Sequence, residues 1–203
     1  MTQGSGSGGE TRVAADMTGG PAPASAMPES AQLAELLKGI DKTHVGAAMS
    51  KMISASIGDI AMVFARSPQH KHYTFADMEW MIVPAVLTGQ FYVAELQQKE
   101  TGAKAPVAAV LWASVSAETD QRLSANPAMR IKLRPDEWQA GEHLWIVDVA
   151  GEQSLIAAAL RDLSITTFKD KAPKVTVGDA QHSRVVSLHD LLAQSKHDAA
   201  VSG

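Results

Sequence analysis

Two short stretches of the chain carry side chains suited to moving a proton. The first is Ala65-Arg66-Ser67-Pro68-Gln69-His70-Lys71-His72-Tyr73, a polar corner with a histidine three residues past a serine. Ser67 suits the N-cap of a turn whose first residue is Pro68. His70 then lies about one turn inside, where a positive helix end disfavours the imidazolium and leaves a neutral ring able to accept a proton. The same corner also reads as a plain capping turn with a surface histidine. The second stretch is Leu144-Trp145-Ile146-Val147-Asp148-Val149-Ala150, an apolar run with one acid. A carboxylate buried alone is costly, so Asp148 needs a strand end, a pair or hydrogen bonds. It can brace the helix expected after Glu152, and a histidine on a facing segment would serve equally well.

The elements that must position these residues follow from hydrophobic spacing. Leu33, Leu36, Leu37 and Ile40 predict a short amphipathic helix. Val45, Met49, Met52, Ile53, Ile57, Ile60 and Phe64 predict a long one, with its stripe turned to a core and its end before Ser67-Pro68. A third helix starts at Thr74-Phe75-Ala76-Asp77, which resembles a capping box, and is disturbed at Pro84. Strands are expected at Gln90–Leu96, Pro106–Ser114, His143–Ala150, Val175–Val177 and Arg184–Leu188. Ser116 caps a helix with acids in its first turn, Glu152–Leu163 forms another, and a last short helix spans His189–Ala193. In regular alternation Leu144, Ile146 and Asp148 share one face of their strand, opposite Trp145, Val147 and Val149.

At 203 residues the chain can bury one core and still carry an extension. A net charge of -4 argues against a general nucleic-acid binder. With Cys 0, disulfides, thiolate zinc sites and cysteine nucleophiles are excluded. No apolar run is read as reaching the ~20 residues of a membrane span. The first residues lack a charged start and an apolar core of the signal-peptide kind. The expectation is a soluble cytoplasmic protein. No phosphate-binding glycine loop and no metal-ligand spacing is found.

Five pieces taken in order make the region from about Gly58 to Leu192 resemble the toxin-activating lysine acyltransferases, which fatty-acylate RTX protoxins. They are Ser67-Pro68-x-His70; Met81-Ile82-Val83-Pro84-Ala85-Val86 with Gly89-Gln90-Phe91; and Pro106-Val107-Ala108 with Leu111-Trp112-Ala113-Ser114-Val115-Ser116. Glu137-Trp138 with Gly141, and then Trp145-Ile146-Val147-Asp148, complete the set. The resemblance implies an α/β (α+β) fold similar to the GNAT acetyltransferases, a curved mixed sheet flanked by helices. It places the family's catalytic histidine on His70 and its catalytic aspartate on Asp148. His70 is then the general base that deprotonates an acceptor lysine, and Asp148 holds its tautomer and stabilises its charged form. An acyl-histidine intermediate is the other course.

The resemblance also implies acyl carrier protein as the acyl donor, no tightly bound cofactor, an RTX-type protoxin as acceptor, and compatibility with a homodimer. GNAT enzymes that use coenzyme A carry a Gln/Arg-x-x-Gly-x-Gly/Ala loop; after Asp148 this chain has Val149-Ala150-Gly151-Glu152-Gln153. Many relatives have Ala-Pro-Phe-Gly near this place, so the turn departs from the family pattern. Arg66, Lys71, Arg130, Lys132 and Arg134 are candidates for docking the acidic carrier. The expected organisation is a disordered arm over 1–29, a helical extension over 30–57, an acyltransferase domain over 58–194 and a disordered end over 195–203. The alternative is a GNAT-like module that binds protoxin or carrier without catalysis.

Overall fold

The structure, a computed structural model, describes residues 42–201 apart from positions 98, 100, 180 and 181. The expected arm over 1–29 and the expected helix around Leu33–Ile40 lie outside the described residues. The chain divides into two units, Met1–Val45 and Gly46–Gly203, and the fold described here is that of the second.

The first helix, α1 (Lys42–Arg66), runs unbroken across the expected boundary at residue 58. Its C-terminal turns bury Ile60, Val63 and Phe64 in the core. Its N-terminal half corrects one expectation: Val45, Met49 and Met52 are 44%, 54% and 64% exposed, so the apolar stripe outruns the part of the helix that enters the core, Ile60 to Phe64. A second expectation also changes. By length and composition, Val45–Arg66 is long and apolar enough to cross a bilayer, with a mean hydropathy of 1.3, since the alanines and small residues between the large apolar ones add few charges along the helix.

A 3-10 turn at Pro68–His70 leads to α2 (Phe75–Leu87), which starts as the capping-box pattern predicts. The Thr74 N–H donates to Asp77 Oδ2 at 2.8 Å. Pro84 sits inside α2 without ending it. Next come β1 (Phe91–Gln97), β2 (Lys104–Val115) and α3 (Ala117–Ala125), the last capped by Ser116 Oγ accepting from the Thr119 N–H at 3.2 Å. The chain continues through β3 (His143–Gly151), α4 (Gln153–Ile165), β4 (Lys174–Val177), β5 (Arg184–Ser187) and α5 (Leu188–Val201). Helix α5 runs on past Ala193, the end expected from sequence. Neither glycine nor proline interrupts it, and Ala199 and Ala200 favour it.

The five strands form one mixed sheet in the order β1-β2-β3-β4-β5. All neighbours are antiparallel except β3 and β4, which run parallel with a single registered pair, Trp145 opposite Lys174. The fold class is therefore mixed α/β, with helices on both faces of the sheet. One face packs Leu111, Ala113, Trp145 and Ala150 against α1 and α2. The other packs Val110, Trp112, Leu144 and Ile146 against Ala159, Leu160 and Leu163 of α4 and Leu188 of α5.

Strict alternation along β3 does not hold. Leu111 lies opposite Asp148, yet Trp112 lies opposite Ile146, which leaves Val147 as an extra residue without a partner. Such a bulge advances the strand by one residue and reverses its facing from there on. Asp148 therefore shares the face of Leu111, towards α1 and α2, and not the face of Leu144 and Ile146. Gly151 closes the strand at φ +125, and a Cβ there would lie 2.5 Å from the Val107 carbonyl oxygen. Only glycine lets β3 press this closely on β2.

Candidate active site

The bulge at Val147 and the turn after α1 bring the two sequence candidates together. His70 Nε2 lies 3.1 Å from Asp148 Oδ1, across 78 residues of chain. His70 is buried, at 6% exposure. The reading of a plain surface turn is thereby set aside, as is that of an imidazole one turn inside a helix. Pro68–His70 is a three-residue 3-10 turn, too short to build a helix dipole. Burial comes from packing instead: the Phe64 ring centroid stands 4.6 Å from that of His70, and Tyr73 meets it edge-on at 4.7 Å.

Ser67 does not cap the turn through its side chain. Its hydroxyl lies 2.7 Å from His70 Nδ1 and is itself buried. The competing partner wins because an imidazole nitrogen within reach is a better use of a buried hydroxyl than an amide of a short turn. The two ring nitrogens are thus both engaged, and their roles follow from their partners. A carboxylate only accepts, so Nε2 carries the hydrogen that points at Asp148. Nδ1 then holds the lone pair and accepts from Ser67.

Asp148 does not brace the helix after Glu152. Its Oδ1 also accepts from the Val149 N–H at 2.8 Å, and its Oδ2 accepts from the Tyr73 hydroxyl at 2.6 Å. Both carboxylate oxygens are therefore used, and together they meet three donors. Burial raises the Tyr73 pKa far above the ordinary phenol value, and the hydrogen bond to Asp148 and its charge add to the effect. Tyr73 accordingly keeps its proton and remains a donor.

A second layer extends outward from Tyr73. The Arg130 guanidinium carbon stands 3.8 Å above the Tyr73 ring, and its Nη1 donates to Asp77 Oδ1 at 3.3 Å. The Trp80 indole N–H donates to the same oxygen at 3.2 Å. The Thr74 backbone N–H is the largest cause that holds the Asp77 carboxyl down to about 2, helped by the Thr74 hydroxyl, Trp80 and Arg130. One acid thus caps α2 and anchors the cation that covers Tyr73. The other basic residues of that loop are partly engaged as well, Arg134 pairing with Asp136 at 3.3 Å.

Two hollows meet at this centre. One is apolar, about 270 Å³, and lies between α1 and α2 with His70 and Tyr73 at one end. The other, about 400 Å³, opens where β3 and β4 part beyond their one registered pair, and it is lined by Tyr73, Arg130, Asp148 and Thr176 among others. Tyr73 belongs to both. Sequence reading missed Tyr73 and the role of the Ser67 hydroxyl, and it took Arg130 for a docking residue only. The one signal in the chain was a phenol placed three residues after the candidate base.

Residues 49–190 match the profile of the RTX toxin acyltransferase family. Among curated proteins, the chain is similar to the RTX-II toxin-activating lysine-acyltransferase ApxIIC of Actinobacillus pleuropneumoniae, 29% identical over 108 residues, which is 52% of this chain and 62% of that protein. It is also similar to the leukotoxin-activating lysine-acyltransferase LktC of Pasteurella haemolytica-like sp. (strain 5943B), 27% identical over 92 residues, or 45% of this chain and 50% of that one. The matched stretch thus spans half to three-fifths of these relatives' length. His70 and Asp148 both fall inside the profile match, which covers well over half of the chain. The chain belongs to the RTX toxin acyltransferase family.

Proposed function

We propose that the protein is a protein-lysine fatty acyltransferase that moves an acyl chain from acyl carrier protein to internal lysines of an RTX-type protoxin. The observation that carries this reading is the pair of buried His70 and half-buried Asp148, 3.1 Å apart, where an apolar and an open hollow share Tyr73. The names of the two relatives, both toxin-activating lysine-acyltransferases, support the acceptor chemistry.

The reaction balances without a cofactor. The neutral lysine Nζ attacks the thioester carbonyl carbon, a C–N bond forms, and the C–S bond breaks. The amine loses one proton and the departing thiolate gains one. With Nε2 committed to Asp148, the lone pair of His70 is on Nδ1, behind the Ser67 hydroxyl at 2.7 Å. The ring takes up its proton at Nδ1, and the Ser67 hydroxyl, which lines a third hollow with Arg66, Pro106 and Gly151, is the group that must relay it. Asp148 then faces an imidazolium and stabilises it, as a carboxylate does in a hydrolase triad.

In this proposal the mixed sheet is the curved sheet of a GNAT-like fold. Its support is the adjacent parallel pair β3 and β4, joined through α4 and parting beyond Trp145 and Lys174. The acidic carrier docks on the basic candidates, of which Arg130 lines the open hollow and Lys71 and Lys132 are exposed. Docking of this kind weakens as salt rises. Transfer measured against carrier concentration at rising ionic strength tests it, and an unchanged KM would remove the docking face. The transfer itself is tested by intact mass of a candidate protoxin incubated with acyl-loaded carrier. Carrier and protoxin binding without any mass gain would favour the non-catalytic module.

A further inference from the structure

The apolar hollow between α1 and α2 has a construction that the transfer chemistry alone does not require. Its walls are Ala61, Phe64 and Ala65 of α1 and Met78, Met81 and Ile82 of α2. None of these side chains carries a nitrogen or an oxygen. Ala61 and Ala65 are one helical turn apart and so line the same side of the hollow. Their small size leaves the space open, and larger residues at these two positions would fill it. The polar side chains that line the hollow, His70, Tyr73 and Thr74, come from one short stretch of chain between the two helices. At the rim is Phe75, 89% exposed, an aromatic ring with almost nothing packed on it.

We propose that this hollow is the seat of the acyl chain, with the thioester end at His70 and the hydrocarbon running between the two helices. The inference rests on the acyl-transfer reading, and it adds the subsite and the residues that set chain length. An apolar pocket with polar groups at one end fits an unbranched chain with one polar end. It does not fit an acceptor lysine, whose ammonium would find no partner among the side chains of the inner walls. The volume of about 270 Å³ holds roughly nine water-sized groups at ~30 Å³ each, and so about as many methylenes. Two methionines in the wall let the pocket adapt to chains that differ slightly in length or bend.

The test is photolabelling of the whole chain with a palmitic acid analogue that carries a mid-chain diazirine, followed by peptide mapping. Label is expected on the segments holding Ala61–Ala65 and Met78–Ile82. The Ala65→Phe variant is expected to lose about tenfold of it, as expulsion of a few methylenes implies. Residue 65 is exposed, so this variant should melt like the parent. Met78→Ala, which enlarges the pocket, is expected to keep the label. Label confined to Pro127–Ile131 or Val175–Ser183, or spread along Val45–Met52 and indifferent to Ala65→Phe, overturns the proposal. Labelling needs no turnover, so the two readings fail separately. Label in the pocket without transfer keeps the subsite and removes the enzyme; transfer with label elsewhere does the reverse.

Discussion

Asp148 lies opposite Leu111 of β2, while Ile146 lies opposite Trp112, so one step along β2 covers two along β3. This displacement turns the acid towards the helices that carry His70. Without the extra residue, regular alternation would send the Asp148 carboxylate towards the apolar cluster of Leu144, Ile146 and Leu160, away from His70 and Tyr73. The bulge is thus a condition of the site. It also explains why an acid sits inside an apolar strand.

Replacing His70 by Ala removes the proton acceptor, and the rate should fall by about 10²–10⁴-fold, the usual worth of a positioned base. Asp148→Asn should lower it by a comparable factor, because an amide can present its NH2 to Nε2 and reverse the tautomer. Transfer rates on one acceptor check both. A His70→Ala protein as fast as the parent would discard the proposed base.

Tyr73→Phe removes the 2.6 Å donor to Asp148 Oδ2 and leaves the ring packing in place. The carboxylate loses one of its three donors and holds the imidazole less firmly, so kcat should fall by up to about tenfold while KM changes little, the worth of one hydrogen bond. A role confined to packing leaves kcat where it is and changes only the melting temperature.

Asp77→Asn tests the support of the second layer. Asp77 titrates near 2, below the ~4 of an unfolded aspartate, so its stabilising effect is fully present above pH ~4. That effect is lost as pH falls towards 2. The variant should be about 1 kcal/mol less stable at neutral pH, the typical worth of a cap. The difference should shrink between pH ~4 and ~2, as the parent's Asp77 takes up its own proton. Denaturant melts across that range measure it.

Gly151→Ala places a Cβ 2.5 Å from the Val107 oxygen at a φ of +125. The strand end must shift or the protein must lose roughly 1–3 kcal/mol. Transfer should fall with it, since Asp148 is three residues away on the same strand. Equal stability to the parent would contradict the close approach of β2 and β3.

Much of this arrangement could be read from the chain. The capping box at Thr74 and Asp77, the Ser116 cap and the hydrophobic periods of β2 and α4 are local signals, and they fold as their spacing says. His70 and Asp148 were legible as residues and as family positions. Their meeting was not derivable from either stretch, because the 78 residues between them leave no trace in local pattern. The bulge at Val147 was invisible for a similar reason. A bulge is a relation between two strands, and a valine in a run of apolar residues looks the same with or without a partner. Ser67 was taken for a cap and Tyr73 was passed over, because the partner of each hydroxyl is fixed by the fold and not by its neighbours in sequence. The exposed stripe of Val45, Met49 and Met52 was read as core because periodicity reports that a face is apolar and not what covers it.

The measurement that bears most directly on the central claim is the intact mass of an RTX-type protoxin incubated with acyl-loaded carrier protein and this chain, beside His70→Ala and Asp148→Asn. The account predicts a mass gain of one or more fatty acyl groups on lysine with the natural sequence, no gain with His70→Ala, and a strongly reduced gain with Asp148→Asn. A natural-sequence protein that folds, binds the carrier and leaves the protoxin mass unchanged across several chain lengths would contradict it.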